Sequence, residues 1–214
     1  MSPRPSNRHQ WRPLIVQAAL IAISERGFHD TRIADIASRA GTTPQVVLYH
    51  FESKEEILEA AVALVEDDFY ASVKGAVQQT ESAAERLLAL LERSRDRSET
   101  RVATWRVWLE IWARALHDRH TARTRQLLDR RWRSTLADIV REGQQLGQFT
   151  PTVDPELVAI QLAAVMDGLL IQVALDDQSV SAEHMSEVLV LTAEALLGCR
   201  LRSGDQPAAI PAEV

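Results

Sequence analysis

The sequence predicts an all-α chain: an N-terminal three-helix unit containing a helix-turn-helix, followed by a larger helical body. Two observations carry that expectation. Only eight Gly and eight Pro punctuate 214 residues, and Phe, Trp and Tyr make up 5% of them, a composition that suits helices. The second is the stretch 33–58, IADIASRAGTTPQVVLYHFESKEEIL, where helical spacing is folded around a glycine turn.

Taken in order, residues 1–12, MSPRPSNRHQWR, are polar and Pro-containing and read as a mobile basic arm whose arginines face a minor groove or phosphates. A first helix is expected from about 13 to 26, with Ala18, Ala19, Ala22 and Ile23 packing inward and Gly27 ending it. A short helix then opens at Ile33. Ile33, Ile36 and Ala37 share one of its faces, and Gly41 lies just beyond its end, where a left-handed cap needs a residue without Cβ. Residues 40–42 make the turn. Thr43 offers an N-cap oxygen and Pro44 suits the first helical position, so a second short helix spans about 44–50.

Val47, Leu48 and Phe51 are expected inside. Thr42, Thr43, Gln45, Val46, Tyr49 and His50 stay outside, the arrangement with which a helix-turn-helix enters a major groove. Thr31 and Arg32, at the mouth of the helix that opens at Ile33, join this DNA-facing set, with Thr31 or Asp30 expected to cap that helix. Ser53 followed three residues later by Glu56 is a capping box, so another helix starts at Lys54, and a lysine beside free first-turn amides suits a phosphate oxygen.

Net charge is −6, which taken alone argues against a nucleic-acid partner, but the charge is unevenly placed. Residues 1–54 carry seven Arg and Lys against four carboxylates, leaving +3 there and −9 in the remainder. A basic head on an acidic body turns that head toward a polyanion. One cysteine, Cys199, excludes an intrachain disulfide and a thiolate metal cluster and suits the cytoplasm. The apolar run 14–23 is interrupted by Gln17 and lacks a small-residue cleavage site, so it reads as a helix and not as a leader. The run 157–175 holds Gln161, Asp167 and Gln172 where a membrane span would be apolar, so no membrane partner is expected.

The segment GTTPQVVLYHFESKEEIL resembles the signature of the tetracycline-repressor (TetR) family of bacterial one-component regulators, and the resemblance covers about residues 9–60. Leu48 stands where an aromatic is common, and Arg32 where a Thr usually caps. Membership would imply a homodimer on a palindromic operator, released by a small molecule. The segments WLEIWARALHD, EGQQLGQF and VDPELVAIQLAAVMDGLLIQVAL are similar to the C-terminal domain of betaine-pathway (BetI-type) repressors, which suggests choline or another quaternary ammonium compound as effector.

The reading unit is assigned to 13–58, a ligand-binding and dimerisation body to 59–200, and a disordered tail to 201–214. The helix from Lys54 should reach about residue 77, and further helices are expected at about 81–97, 100–117, 119–146, 154–175 and 181–199. Within 100–117, Arg101, Trp105, Trp108, Leu109, Trp112 and Leu116 form one stripe, either core or the wall of a ligand cavity. With Met166 and Asp167 added, the cavity reading admits an apolar, aromatic or cationic effector. Glu110, between Arg106 and Arg114, reads as a solvated ion-pair member.

Asp154 and Pro155 start a helix apolar nearly all round, hence buried on more than one side. Ala164 and Gly168 make a flat strip for a partner helix. With Met185, Val188, Leu189, Thr192, Ala195 and Leu196 they predict a four-helix dimer contact. The enzyme alternative would rest on His117 and His120 near Asp118, or His184 near Glu183. None has a nucleophile, metal-ligand spacing or phosphate loop beside it, so neither catalysis, metal nor cofactor is expected.

Overall fold

The structure is a computed structural model and describes residues 8–80, 82–96 and 98–202. Among these residues the chain is nine α-helices and one 3₁₀ turn, without a strand. α1 (Arg8–Asp30) starts earlier and ends later than expected. Residues 8–12, assigned to the arm, are thus its first turns, while residues 1–7 lie outside the described residues. Gly27 breaks this helix with φ 78° and ψ 161°, a conformation open to a residue without Cβ, and a short coda carries on to Asp30.

α2 (Ile33–Arg39) and α3 (Pro44–His50) form the helix-turn-helix at the expected positions. Between them Gly41 has φ +68°, its N–H bonds the Ser38 carbonyl, and the Thr42 N–H bonds the Ala37 carbonyl. That pair of bonds closes α2 in a Schellman motif. Neither Thr31 nor Asp30 caps α2. Arg32 is its N-cap residue, and the cap is made in reverse, by the Asp35 carboxylate accepting the Arg32 N–H at 2.9 Å. Thr43 caps α3 as expected, accepting from the Val46 N–H.

α4 (Lys54–Gln79) runs unbroken past residue 58 into the body. Half of its capping box forms: Ser53 Oγ accepts the Glu56 N–H at 3.1 Å, but the Glu56 carboxylate takes the Glu52 N–H at 2.8 Å instead of that of Ser53. The body follows as α5 (Ala83–Glu92), the 3₁₀ turn Arg93–Arg95, α6 (Glu99–Ala115), α7 (Arg119–Gln145), α8 (Pro155–Ala174) and α9 (Ala182–Leu197). Asp154 caps α8 through the Glu156 and Leu157 N–H groups, with Pro155 in the first turn. The expected tail begins too early. Leu201 is buried and donates its N–H to Glu194, so the body extends to Arg202, and 203–214 lie outside the described residues.

Two apolar clusters organise these helices. The first joins Ile15, Ala19 and Ile23 of α1 to Ile36, Val47, Phe51 and Ile57. The second joins Leu87 and Leu91 of α5 to Leu136 and Val140 of α7, Leu162 of α8, and Met185, Leu189 and Ala193 of α9. α6 belongs to both. Ala103, Val107 and Ile111, four residues apart on one face, complete the first cluster, and Trp105 enters the second.

Three expectations about burial are corrected here. Leu48 is 55% exposed because Val47 and Phe51 already fill the inner face of a seven-residue helix. Leu116 is 80% exposed, since α6 ends at Ala115 before the stripe reaches it. Met185 and Leu189, expected across a dimer contact, are fully inside their own subunit's core.

α8 is long and apolar enough to span a bilayer, and packs one side of itself into the bundle through Val158, Ala159, Leu162, Leu170 and Val173. Its other side carries exposed Leu157, Ile160 and Ile171.

Leu162→Ala should lower stability by about 2–5 kcal/mol, as a core truncation leaves a cavity. Leu48→Ala should change it by less than about 0.5 kcal/mol. Denaturant unfolding of the two variants measures both.

Candidate DNA interface and effector cavity

The outer end of the helix-turn-helix carries Thr43, Gln45, Leu48 and Tyr49 exposed, with Thr42, Val46 and His50 half-buried. Thr43 Oγ1 is used as an acceptor in the cap, which leaves its O–H free to donate to a phosphate. The Tyr49 ring stands edge-on to His50, centroids 5.3 Å apart at 87°, and this fixes both rings at the C-terminal end of α3.

Two residues expected at DNA are turned inward. Thr31 is 1% exposed, and its hydroxyl donates at 2.7 Å to the Gly27 carbonyl, with the Ala22 carbonyl 3.2 Å away. It seals the break in α1. Lys54 Nζ donates to the carbonyls of Phe28, His29 and Thr31 at 2.6, 3.0 and 3.0 Å, and lies 4.4 Å from the centre of the Phe28 ring. An ammonium has three donors, and all three are engaged. Lys54 is therefore a clamp on the end of α1 and not a phosphate ligand.

The remaining cations of this head are similarly occupied. Arg12, expected in the arm, lies 4.2 Å over the Phe51 ring and donates to the His50 carbonyl at 2.9 Å and to Glu56 at 3.2 Å. Arg26 pairs with Asp35 and Arg39 with Glu25. The Arg32 N–H, helped by Arg26, holds the Asp35 carboxyl below its ordinary range. Among the described guanidinium and ammonium groups of residues 11–61, only the exposed Arg32 makes no hydrogen bond or ion pair.

The second site lies in the body. A cavity of about 160 Å³ is lined by Trp105, Trp108 and Trp112 of α6, Trp132 of α7 and Tyr70 of α4, with Met166 and Asp167 of α8 at its edge. The tryptophan stripe serves both core and cavity: Trp105 is buried in the body's cluster with Trp112 packed against it, and all three indoles line the space, while the side chain of Arg101 lies outside the described residues. Tyr70 and Trp132 were not anticipated. Of the eleven Phe, Tyr and Trp in the chain, five line this one cavity. Met185, expected at a dimer contact, also lines it.

Asp129 and Asp167 are the carboxylates of the cavity wall. Asp129 is paired with Arg125 at 2.9 Å, whereas Asp167 has no hydrogen bond or ion pair among the described residues. Burial, with Asp129 adding to it, pushes the Asp167 carboxyl up to about 6, against the opposing pull of Arg125 and Arg133. The space is below the ~300 Å³ of drug-sized sites and suits a small molecule. Indoles and an unpaired carboxylate lining one space suit a compact cation.

Glu110 is not a solvated ion-pair member. It accepts the Phe28 backbone N–H at 3.2 Å, while the arginines on either side pair elsewhere, Arg106 with Asp176 and Arg114 with Glu55.

A helix-turn-helix joined through one continuous helix to a body with a ligand-sized cavity defines a one-component transcription regulator. Residues 15–61 match the family described as bacterial regulatory proteins, tetR family, and residues 83–198 match BetI-type transcriptional repressor, C-terminal. The chain is 31% identical over 185 residues to the HTH-type transcriptional regulator BetI of Serratia proteamaculans (strain 568), covering 86% of this chain and 89% of that protein. It is 30% identical to BetI of Cronobacter sakazakii (strain ATCC BAA-894), over 84% and 85% of the two chains.

Among solved structures, a transcriptional regulator from Saccharomonospora viridis in complex with choline is 32% identical, with a TM-score of 0.80 over 87% of this chain and 96% of that one. A TetR-family regulator from Rhodococcus sp. is 25% identical, with a TM-score of 0.76 over 88% and 99%. The chain belongs to the TetR family of bacterial transcription regulators, with a BetI-type C-terminal domain.

Three variants separate the roles in the head, each read as operator affinity against salt concentration. Arg32→Gln should lower the slope of log K against log salt by about 0.9 for each subunit bound. Lys54→Met should leave the slope unchanged but destabilise the protein by about 1–3 kcal/mol, because three carbonyls, two of them partly buried, lose a charged donor. Tyr49→Ala should weaken operator binding without loss of helicity by circular dichroism.

Proposed function

We propose that this regulator acts in the cytoplasm as a homodimeric repressor of a palindromic operator and that a small quaternary ammonium compound, with choline as the first candidate, releases it. The observation that carries the effector is the aromatic cavity with one unpaired carboxylate. Cation–π attraction is strongest over indole, and Asp167 supplies the anion that a neutral aromatic ligand would not use. The choline complex of the Saccharomonospora viridis relative supports the same chemistry.

The operator side rests on α3 presenting Thr43, Gln45, Val46 and Tyr49, with Thr42 and His50 at the margins and Arg32 as the free cation. Two copies would place their reading helices about 34–36 Å apart, one turn of B-DNA. The contact joining them is assigned to the outer sides of α8 and α9. Leu157, Ile160, Ile171, Val188 and Leu191 are exposed there, Thr192 and Leu196 lie partly open beside them, and Ala164 and Gly168 form a flat strip. A Cβ on Gly168 would meet nothing within 4 Å in the single subunit, so that strip is open to a second helix. Effector binding would favour a head separation that no longer matches the operator, and could do so only by its differential affinity for the two states.

The test is titration of the purified protein onto DNA from upstream of its own gene, followed by anisotropy with and without choline, and calorimetry of choline alone. Specific binding reversed by choline supports the reading; indifference to the DNA, or to choline, removes the corresponding half.

The effector should also show a pH dependence of known sign. A bound cation favours ionised Asp167, so at low pH it must displace a proton. Affinity should therefore fall as pH drops through about 6, by ~10-fold from pH 7.5 to 5. Asp167→Asn should be weaker at neutral pH and nearly flat across that range. Gly168→Arg should convert dimer to monomer in light scattering and abolish operator binding with the fold intact.

A further inference from the structure

The end of α1 is held by both halves of the chain at once. From the body, Glu110 of α6 accepts the Phe28 N–H at 3.2 Å and the Arg114 guanidinium lies 4.6 Å from the centre of the Phe28 ring. From the head, Lys54 covers the same ring at 4.4 Å and bonds the Phe28 carbonyl at 2.6 Å. Arg114 also pairs with Glu55, one residue beyond Lys54, at 3.8 Å. One peptide is thus gripped by a carboxylate on its N–H and an ammonium on its C=O, and its side chain lies between two cations from different helices.

This segment is set off from the rest of α1. Gly27 interrupts α1 immediately before it, and from Thr31 the chain passes directly into Arg32, the N-cap of α2. On the other side, Glu110 shares α6 with Trp108 and Trp112, two residues away in either direction. Residues two apart on a helix point about 200° from each other. α6 therefore shows indoles to the cavity and Glu110 to the head, and any roll or slide imposed at one face appears at the other.

We propose that Phe28 is the joint through which α6 acts on the helix-turn-helix, with Glu110 as the positioning residue that moves it. A shift of Glu110 displaces the Phe28 peptide, which carries the start of α2 by way of Thr31 and the first turn of α4 by way of Lys54. This rests on the cavity of the body taking the effector, as proposed above. Packing alone would give Glu110 a role in stability; the joint gives it a role in how strongly effector and operator oppose each other.

The experiment measures operator affinity with and without saturating choline, and choline affinity by calorimetry, for the wild type, Glu110→Gln and Glu110→Leu. Gln keeps an oxygen that accepts the Phe28 N–H; Leu does not. Couplings of this kind are about 5–150-fold. The expected result is a wild-type factor in that range, largely kept in Glu110→Gln and reduced to about 1 in Glu110→Leu with choline affinity unchanged. A Glu110→Leu protein that choline releases by the wild-type factor would overturn the joint while leaving the effector reading intact. Wild-type protein that ignores choline would take down the effector reading first and the joint with it.

Should Glu110→Leu fail to bind operator, spin labels on Leu48→Cys in a Cys199→Ser background report the head separation directly. Loss of its choline-induced change in Glu110→Leu supports the joint, and an unaltered change overturns it.

Discussion

The architecture depends on α6 being a member of two cores. Ala103, Val107 and Ile111 close the cluster under the helix-turn-helix, and Trp105 on the same helix enters the cluster of the body. A helix in that position cannot move without disturbing packing on both sides, and close-packed interiors respond to such disturbance by switching arrangement more readily than by yielding smoothly. The cavity of the body lies against this helix, at Trp105, Trp108 and Trp112, so its wall is built on an element that both halves need.

The electrostatics of the head follow a related logic. Its surplus of positive charge points to DNA, yet four of the five described cations there are tied to the protein: Arg12 to the α3–α4 turn, Arg26 and Arg39 to carboxylates, Lys54 to the end of α1. These groups position the reading helix and add to the field around it, while among the described residues Arg32 and the Thr43 hydroxyl keep donors open to solvent.

Local structure was legible in the chain because local rules determine it. The turn at Gly41, the caps at Thr43 and Asp154 and the bounds of α2 and α3 all follow from residues within one helical turn of each other. What sequence reasoning missed was set by distant partners. Thr31 and Lys54 look like DNA ligands until α1 breaks at Gly27 and exposes carbonyls for them to satisfy, and nothing near Lys54 in sequence announces carbonyls 23 to 26 residues away. Met185 and Leu189 have the spacing of an interface, but one apolar stripe on a helix does not say whether its own chain or another covers it; here the stripe on the opposite side of α9 is the open one. Three of the five aromatic residues of the cavity wall were visible as a tryptophan stripe, while Tyr70 and Trp132 come from helices whose approach to α6 no periodicity encodes.

The sharing of α6 also bears on how such a regulator could be rewired. Cut at the conventional boundary and grafted onto a foreign body, the N-terminal unit would lose the floor supplied by Ala103, Val107 and Ile111, along with the Glu110 grip on Phe28. The side of α1 that packs on α6 would then face solvent or an ill-fitting surface. A working chimaera would have to carry α6 with the DNA-reading unit, or reproduce its three small and branched residues on the recipient, which makes the portable module of this protein discontinuous along the chain.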